Sequence, residues 1–320
     1  MDNMIAFTIC ANNYLAKACV LLKSIKLHSN IKVYLFLADN KADGIDYNSL
    51  GFDSVIVPEQ LEIENLQWQL ENYNIIEFNT ALKGPAFKYL FLKTSADIIY
   101  YFDPDIKVYQ PLESFNNFWN GKSILLTPHI LSPIPFDGLF PGENLFLNHG
   151  IYNLGFLGLK RSVMANNFLN WWSERLAEKC IIDLNEGYFT DQIWITLVPL
   201  LFNDVTILGH PGFNAAYWNL HDRYIIFKDG KAAVNDAEEL YFYHFSSFDV
   251  TLQKLVPSDN ARYNFNNRSE MTALYEDYLN DLKQFETANY KSFLYFDGLY
   301  PKPKGNNISL MDRIIRRIRR

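Results

Sequence analysis

Two aspartates one residue apart follow an apolar segment of strand length. The segment runs from Ile98 to Phe102, and Asp103-Pro104-Asp105 comes directly after it. Alternate residues on an extended chain point the same way, so the two carboxylates can converge on one ligand. Pro104 fixes its own φ and restricts the residue before it, which makes the geometry stiff. Such a pair suits Mg²⁺ or Mn²⁺ held together with a substrate's phosphates, although Asp-Pro-Asp is also ordinary turn chemistry.

Two later predicted strands each carry a polar side chain of interest. In the strand predicted over 150–159, Asn153 offers a hydrogen-bond donor and an acceptor, and Gly155 would let the backbone approach a ligand closely. In the strand predicted over 239–245, His244 lies near the carboxyl end, where a strand would deliver it to a site. A strand bulge at Gly155 and a hydrogen-bonded core histidine are the structural alternatives.

Polar residues also stand at the start of a predicted helix and within an aromatic segment. Asp191 and Gln192 precede the helix predicted over 193–202, where capping of its positive end is the alternative role. The segment around Trp218 and Asn219 combines aromatic rings with amide groups, which indicates a sugar-binding surface. A well-packed loop that satisfies its own backbone is the alternative.

The elements that must position these residues begin with a strand, a helix and a second strand. Residues 5–10 form an apolar stretch of strand length, and apolar residues then recur with a period near 3.6 from Leu15 to Ile25. A second strand is predicted over 32–38. This βαβ unit implies a parallel sheet and an α/β fold.

Side chains after these first two strands are candidates for ligand binding. Asn13 and Tyr14 open the helix, whose N-terminus can receive an anionic or polar group. Asp39 follows the second strand, where acidic residues of dinucleotide-binding folds hold a ribose hydroxyl. Loop capping is the alternative for all three residues.

Several lysines are candidates for a diphosphate. Lys83 and Lys88 lie near the start of a helix predicted over 86–95, and Lys93 and Lys107 flank the aspartate pair. An isolated lysine is more often a solvated surface residue.

Composition limits the class of protein. The 320 residues are 49% hydrophobic and 16% aromatic, with a net charge of −7, which argues against nucleic acid as the main partner. The three cysteines are widely spaced, which favours a reducing compartment over a zinc site or a disulfide framework. With neither a signal-type segment nor about 18 consecutive apolar residues, we expect a cytoplasmic protein.

The carboxyl-terminal residues differ from the rest of the chain. Over residues 308–320, apolar residues occupy one helical face and five arginines the other, which predicts peripheral contact with the inner membrane face. A helix docked on the chain's own core and a junction to further sequence are equally open alternatives.

Taken in order, these residues resemble the GT-A-fold glycosyltransferases, in particular the retaining nucleotide-sugar transferases of the bacterial galactosyltransferase and glycogenin type. The resemblance covers about residues 5–250. The matching pieces, in the family's order, are Asn13-Tyr14, Asp103-Pro104-Asp105, Tyr152-Asn153-Leu154-Gly155, Asp191-Gln192 and His244-Phe245-Ser246. The resemblance implies a single GT-A (Rossmann-like) domain over 1–260, with a mixed, mainly parallel sheet flanked by helices. A C-terminal helical extension over 261–300 and a linker with the basic tail over 301–320 would follow.

The resemblance also implies roles for the matching positions. Asp103 and Asp105 with His244 would hold Mn²⁺ on the diphosphate of the donor. Asn13 and Tyr14 would contact the base of the donor. Lys88 and Asn153 would contact the donor sugar or phosphates. Asp191 and Gln192 would lie by the sugar. Gln192 would lie close to the anomeric carbon. The implied mechanism is front-face attack by the acceptor hydroxyl with retention of configuration.

Two departures from the family pattern leave the stereochemistry open. The family's lysine shortly after the late histidine is absent, because Ser246-Ser247-Phe248-Asp249 follows and Lys254 is too distant. Ile193, rather than a second aspartate, follows Asp191-Gln192. An inverting enzyme with a carboxylate as general base is therefore an alternative.

The sequence thus predicts a metal-dependent glycosyltransferase that uses a nucleotide-sugar donor, with a UDP-sugar as the family's usual choice, and a bacterial surface glycan or lipid-linked acceptor. A sugar-nucleotide-binding or glycan-binding protein without turnover is a second reading. A nucleotidyltransferase is a third, but Ala11-Asn12-Asn13-Tyr14 lacks the Gly-rich loop that this chemistry needs after the first strand.

Overall fold

The computed structural model of the chain describes residues 3–235, 238–248, 254, 255, 258 and 261–285. The strands, in chain order, are β1 Met4–Cys10, β2 Lys32–Leu37, β3 Ser54–Ile56, β4 Ile98–Phe102, β5 Ile106–Val108, β6 Ile124–Pro128, β7 Tyr152–Lys160, β8 Ile182–Asp183, β9 Tyr188–Phe189, β10 Val205–Ile207, β11 Ala215–Ala216, β12 Ile225–Lys228, β13 Lys231–Val234, β14 Glu238–Glu239 and β15 Phe242–His244. The α-helices are α1 Leu15–His28, α2 Leu66–Asn72, α3 Ile75–Ala81, α4 Lys83–Lys93, α5 Glu143–His149, α6 Val163–Lys179, α7 Gln192–Ile195, α8 Val198–Leu201 and α9 Met271–Phe285.

A seven-stranded sheet in the order β10-β6-β7-β4-β1-β2-β3 forms the centre of the molecule. Strand β7 runs antiparallel to β4 and β6, and the other neighbouring strands pair in parallel. The sheet is therefore mixed and mainly parallel, and the predicted fold class is confirmed.

Strand β1 is buried along its whole length because helices cover both faces of this sheet. Ile5, Phe7 and Ile9 pack with residues of α3, α4 and α6, whereas Met4 and Ala6 pack with residues of α1. Burial on both faces explains why the strand has a continuous apolar sequence instead of alternating polarity.

A second, three-stranded sheet joins the late part of the chain to the central one. Its order is β11-β15-β5. Strand β15 pairs antiparallel with β5, so that Phe242 lies opposite Val108 and His244 opposite Ile106. Because β5 begins directly after Asp105, this pairing places the end of β15 beside the two aspartates.

Helix α9 packs onto α1 and onto the end of β15. The Tyr278 ring stacks on Phe245, with 3.8 Å between centroids and 4° between planes. Lys107 on β5 forms ion pairs of 2.5 Å with Asp277 and 2.6 Å with Asp281. Helix α9 thus packs against the second sheet through Tyr278, Asp277 and Asp281. The predicted linker and basic tail lie outside the described residues.

Two predicted elements differ in extent from those observed. The helix predicted over 193–202 is two short helices, α7 and α8, because Pro199 has no N–H for a helical bond and its ring crowds the preceding turn. The strand predicted over 239–245 is divided into β14 and β15, because the N–H groups of Tyr241 and Phe242 donate to the carbonyl of Gly212 instead.

No helix in the described ranges combines the length and the apolar character that crossing a membrane requires.

Replacing Lys107 by alanine is expected to lower the free energy of unfolding by about 1–3 kcal/mol, because Asp277 and Asp281 lose the buried ammonium that both contact. Urea denaturation followed by circular dichroism measures this. Lys26→Ala is the control, since its pair with Asp53 is more exposed and is expected to contribute below about 1 kcal/mol. Equal losses in the two variants would contradict the role given to Lys107.

Candidate active site

Asp103, Asp105 and His244 form one cluster at the carboxyl end of β4. One potential ligand atom from each lies within 4.8 Å of the other two. His244 Nε2 is 3.0 Å from Asp105 Oδ1 and 3.8 Å from Asp103 Oδ2. Residues far apart in sequence, each predicted for metal binding, are therefore brought together.

Backbone hydrogen bonds position this cluster. The N–H of Ile106 donates to Asp103 O at 3.1 Å and closes the turn that carries the two aspartates. The N–H of Phe245 donates to Asp105 O at 2.9 Å and continues the β5–β15 pairing past His244. The arrangement of the three side chains thus follows from a strand pairing.

Gly155 on β7 makes room for the imidazole. A Cβ atom at this position would lie 2.6 Å from Cε1 and 2.7 Å from Nδ1 of His244. The carbonyl of Gly155 also accepts from the N–H of Asp103 at 2.7 Å. The sequence predicted a close approach to the backbone here, and in the structure the approaching group is the side chain of His244.

The cluster is electrostatically coupled. Burial raises the pKa of Asp105, but His244 and then Lys17 oppose this and lower the pKa to about 2. Burial lowers the pKa of His244, whereas Asp105 and Asp103 raise it above its ordinary value. The carboxylate of Asp105 and the protonated ring of His244 therefore stabilise each other.

Lys83 joins Asp103 to Asp191. Its ammonium lies 2.8 Å from Asp191 Oδ2 and 3.6 Å from Asp103 Oδ1, and it donates to Leu154 O at 2.8 Å. Burial alone would lower the pKa of Lys83, but Asp103 and Asp191 raise it. Burial raises the pKa of Asp191, and Lys83 opposes that shift. Lys83 thus holds two carboxylates in place at the site.

Tyr101 and Lys17 contact the aspartates and were missed by the sequence reasoning. The Tyr101 hydroxyl donates to Asp103 Oδ1 at 2.5 Å, and the Lys17 ammonium is 3.9 Å from Asp105 Oδ2. Tyr101 lies in an apolar strand and Lys17 in a helix with other lysines. No motif marks either residue, but the strand pattern places Tyr101 two residues before Asp103, on the same side of β4.

Asn153 lies on β7 beside the buried His129. Its amide Nδ2 is 3.2 Å from His129 Nε2, and its Oδ1 accepts from the N–H of Gly155 at 3.1 Å. Burial lowers the pKa of His129 to about 3, so its ring is neutral and can accept from the amide. His129 follows β6 and was not singled out from the sequence.

Gln192 contacts the same stretch of β7. Its Oε1 accepts from the N–H of Leu154 at 3.3 Å, and its Nε2 donates to His149 O at 2.8 Å. The neighbouring Asp191 is buried, and its backbone carbonyl accepts from the indole of Trp172. Both residues lie near Lys83, on the Asp103 side of the cluster.

A cavity of about 290 Å³ adjoins the cluster. Asn13, Tyr14, Asp103 and Asp105 line it, together with part of α3 that includes Ile76. Two predicted base-contacting residues therefore share one cavity with two predicted metal ligands.

Asp39 lies behind this cavity instead of on its surface. Its Oδ2 accepts from the side-chain amide of Asn12 at 2.9 Å, and its Oδ1 accepts from the N–H of Asn40 at 2.9 Å. Asp39 is buried, so its visible role is to join the loops after β1 and β2.

Lys88 lies in another part of the molecule. It lines a larger cavity of about 970 Å³ between α2, α4 and α6, together with Glu174 and Glu178. That cavity shares no lining residue with the one beside Asp103. Five positions after Lys83 on α4, Lys88 points to a different face of the helix, and the structure gives its predicted donor contact no support.

Trp218 and Asn219 are buried and do not form an exposed sugar platform. Asn219 accepts from the N–H of Ala216 and donates to His129 O, so its amide satisfies the backbone. The Trp218 ring packs edge-on against His244, with 5.3 Å between centroids. The predicted acceptor surface is thus corrected to a packed loop that supports the cluster.

The donor set fits a divalent cation. Two carboxylates and one imidazole on a partly exposed site are ligands that Mn²⁺ accepts, and Mg²⁺ favours the oxygens. Within the described ranges, the buried Nδ1 of His244 has no hydrogen-bond partner.

No protein-family model matches the sequence. Two uncharacterized proteins of Bacillus subtilis (strain 168) are similar to it. YfnF is 36% identical over 101 residues, which are 32% of this chain and 33% of YfnF, so the match spans a third of that relative's length. YfnD is 24% identical over 302 residues, covering 92% of this chain and 94% of YfnD.

Solved structures of glycosyltransferases share the architecture. The galactosyltransferase LgtC, solved with donor and acceptor sugar analogs, superposes with a TM-score of 0.51 at 14% identity, covering 88% of this chain and 96% of LgtC. The chain has the GT-A fold. The bifunctional glycosyltransferase WbbM gives a TM-score of 0.53 at 13% identity, covering 91% of this chain and 51% of WbbM. The predicted GT-A architecture is thereby confirmed.

Gly155→Ala is expected to weaken Mn²⁺ binding by about 10–100-fold, because the new methyl group displaces the imidazole of His244. Electron paramagnetic resonance of free Mn²⁺ measures the affinity, and circular dichroism checks the fold. Gly209→Ala is the matched control, since a Cβ there meets no atom within 4 Å. Unchanged Mn²⁺ affinity in folded Gly155→Ala protein would refute the arrangement.

Proposed function

We propose that this chain is a metal-dependent glycosyltransferase that moves a sugar from a nucleotide-diphosphate donor to a glycan or lipid-linked saccharide acceptor. The observation that carries the proposal is the cluster of Asp103, Asp105 and His244, whose two aspartates line a cavity, in a chain with the GT-A fold. Fold alone does not assign an activity, so the argument rests on this site.

The cavity supports a nucleoside in this position. Its wall combines the aromatic ring of Tyr14, the amide of Asn13 and apolar groups of α3, which suits stacking and hydrogen bonding of a base. The diphosphate would then lie at the aspartate end. A bound divalent cation would act there as a Lewis acid that neutralises negative charge on the departing nucleoside diphosphate.

The donor sugar would extend from the diphosphate towards β7 and α7. Asp191, Asn153 and the carbonyl of Leu154 lie on that side, around Lys83. When the bond between the anomeric carbon and the phosphate oxygen breaks, its electron pair leaves with the phosphate and positive charge develops on the sugar. Fixed oxygen atoms stabilise that charge electrostatically.

The buried ion pair of Asp191 favours retention over inversion. An inverting enzyme needs a carboxylate free to accept the proton of the acceptor. Asp191 contacts Lys83 at 2.8 Å, and Asp103 and Asp105 are the proposed metal ligands. We therefore keep front-face attack, helped by the leaving phosphate, as the proposed mechanism.

The burial of Trp218 and Asn219 weakens the alternative of a glycan-binding protein, because that reading relied on an exposed aromatic platform. Membrane contact through residues 308–320 stays a prediction, because these residues lie outside the described part of the chain.

Asp105→Asn is expected to reduce sugar transfer by about 100-fold or more while the fold is retained, because the amide loses the charge that holds the cation. Turnover is measured with a panel of nucleotide sugars and a saccharide acceptor. The same panel, with and without Mn²⁺, is used in thermal denaturation, where a ligand that binds the folded state raises the Tm.

Asp43→Asn serves as the control, since it makes the same chemical change at an exposed loop position. Near-normal turnover of Asp105→Asn would refute the metal assignment. Wild-type protein that is stabilised by a nucleotide sugar and Mn²⁺, yet never transfers or hydrolyses the sugar, would be a binding protein.

A further inference from the structure

A second lysine, Lys17, contacts the cluster through Asp105. Its ammonium lies 3.9 Å from Asp105 Oδ2 and 4.4 Å from the centroid of the Tyr14 ring. Asp105 and Tyr14 both line the cavity assigned to the nucleotide. Lys17 therefore places a positive charge next to one residue of the cluster and one residue of the cavity wall proposed for the base.

Lys83 and Lys17 differ in the number and the length of the contacts that their ammonium groups make within the protein. Lys83 makes two contacts of 2.8 Å, to Leu154 O and Asp191, and its side chain is 3% exposed. The side chain of Lys17 is 19% exposed, and its 3.9 Å contact with Asp105 is too long for a direct hydrogen bond. Lys17 is therefore the better placed of the two to donate to an incoming ligand.

The position of Lys17 in α1 also favours a nearby anion. It lies in the first turn of a 14-residue helix that has no acidic residue in that turn. A cation is unfavourable there, because the helix dipole presents its positive end. Asp105 supplies a compensating negative charge.

Metal binding would weaken the attraction between Lys17 and Asp105. Two carboxylates neutralise one divalent cation, so the occupied cluster would attract Lys17 far less than the bare aspartates do. Lys83 is already offset by Asp191. The positive charge of Lys17 is then left for another anion close to Asp105.

We propose that this anion is the diphosphate of the nucleotide donor, and that Lys17 donates charge-assisted hydrogen bonds to its terminal phosphate. The inference rests on the proposed function and names a ligand-binding residue of the same site. An ammonium is a compact point charge that suits a phosphate group. The contact strengthens as the bond to the sugar breaks, because negative charge then accumulates on that phosphate.

The test compares nucleoside diphosphates with the matching monophosphates. Isothermal titration calorimetry of the full chain with MnCl₂ uses UDP and UMP, or the equivalent pair for the base that stabilises the wild type in thermal denaturation. Lys17→Gln is expected to weaken diphosphate binding about tenfold and monophosphate binding less than about twofold, since one charge-assisted bond is lost. Lys17→Arg is expected to restore most of the diphosphate affinity.

Lys26→Gln is the matched control, because it removes a positive charge from the same helix at a residue paired with Asp53. Mn²⁺ affinity without nucleotide is measured in parallel by electron paramagnetic resonance, and it is expected to be unchanged or higher in Lys17→Gln, since a like charge beside the cation is removed.

Three results would overturn the assignment of Lys17. They are unchanged diphosphate affinity in Lys17→Gln, equal weakening for diphosphate and monophosphate, and an equal effect of Lys26→Gln. Wild-type protein that binds no nucleoside diphosphate in the presence of Mn²⁺ would overturn the proposed function itself, and the inference with it. Failure of the residue assignment and failure of the function are thus separate observations.

Discussion

The antiparallel pairing of β5 with β15 is the constraint on which the site depends. Strand β5 begins where the aspartate turn ends, so any residue that pairs with its first position must lie beside the two carboxylates. His244 occupies that position. Aromatic packing stabilises the pairing, because Phe245 stacks on Tyr278 and Trp218 contacts the imidazole of His244. The cluster of three side chains therefore depends on the register of one strand pair. A slip of one residue would turn His244 to the opposite face of its strand.

Concentrated negative charge is the second condition that the structure has to meet. Asp103, Asp105 and Asp191 lie close together, and Asp105 and Asp191 are buried. Such an arrangement is unfavourable unless cations compensate it. Lys83 and Lys17 supply that compensation in different ways. Lys83 is buried and bound at short distances, as a permanent part of the scaffold, whereas Lys17 is held loosely at the edge. The site thus combines a fixed charge with an adjustable one.

The strands that carry the cluster were predictable because local pattern determines them, whereas the metal-binding role of His244 was implied only by the resemblance and stays a prediction. Asp103 and Asp105 end an apolar run, and His244 ends an aromatic one, so each could be placed at the end of a strand before any tertiary contact was known. The central sheet and its flanking helices follow from the same periodicities. The GT-A resemblance supplied the order of the pieces, and the observed sheet agrees with it.

What could not be predicted depends on burial and on side-chain direction. An aromatic, amide-rich segment has the same composition on a surface as in a packed loop, and Asn219 proved to satisfy backbone groups. Lys83 and Lys88 lie on different faces of one helix, and the sequence does not show which face turns towards the site. In the structure Lys83 lies at the site and Lys88 lies away from it. Tyr101 and His129 carry no motif. Their roles arise from neighbours that are remote in sequence, which a single sequence does not reveal.

The distance along the chain between the aspartates and His244 has a consequence for synthesis of the protein. Strands β1 to β4 and their helices are complete long before β15 leaves the ribosome, and chains of this size fold from the N-terminal side during translation. The nascent chain therefore carries two acidic ligands without their imidazole partner until nearly the whole GT-A sheet exists. Pairing across such a separation has a high contact order and forms late. A growing chain of this kind brings Asp103, Asp105 and His244 together as one of the last events of folding, once α9 can pack on the end of β15.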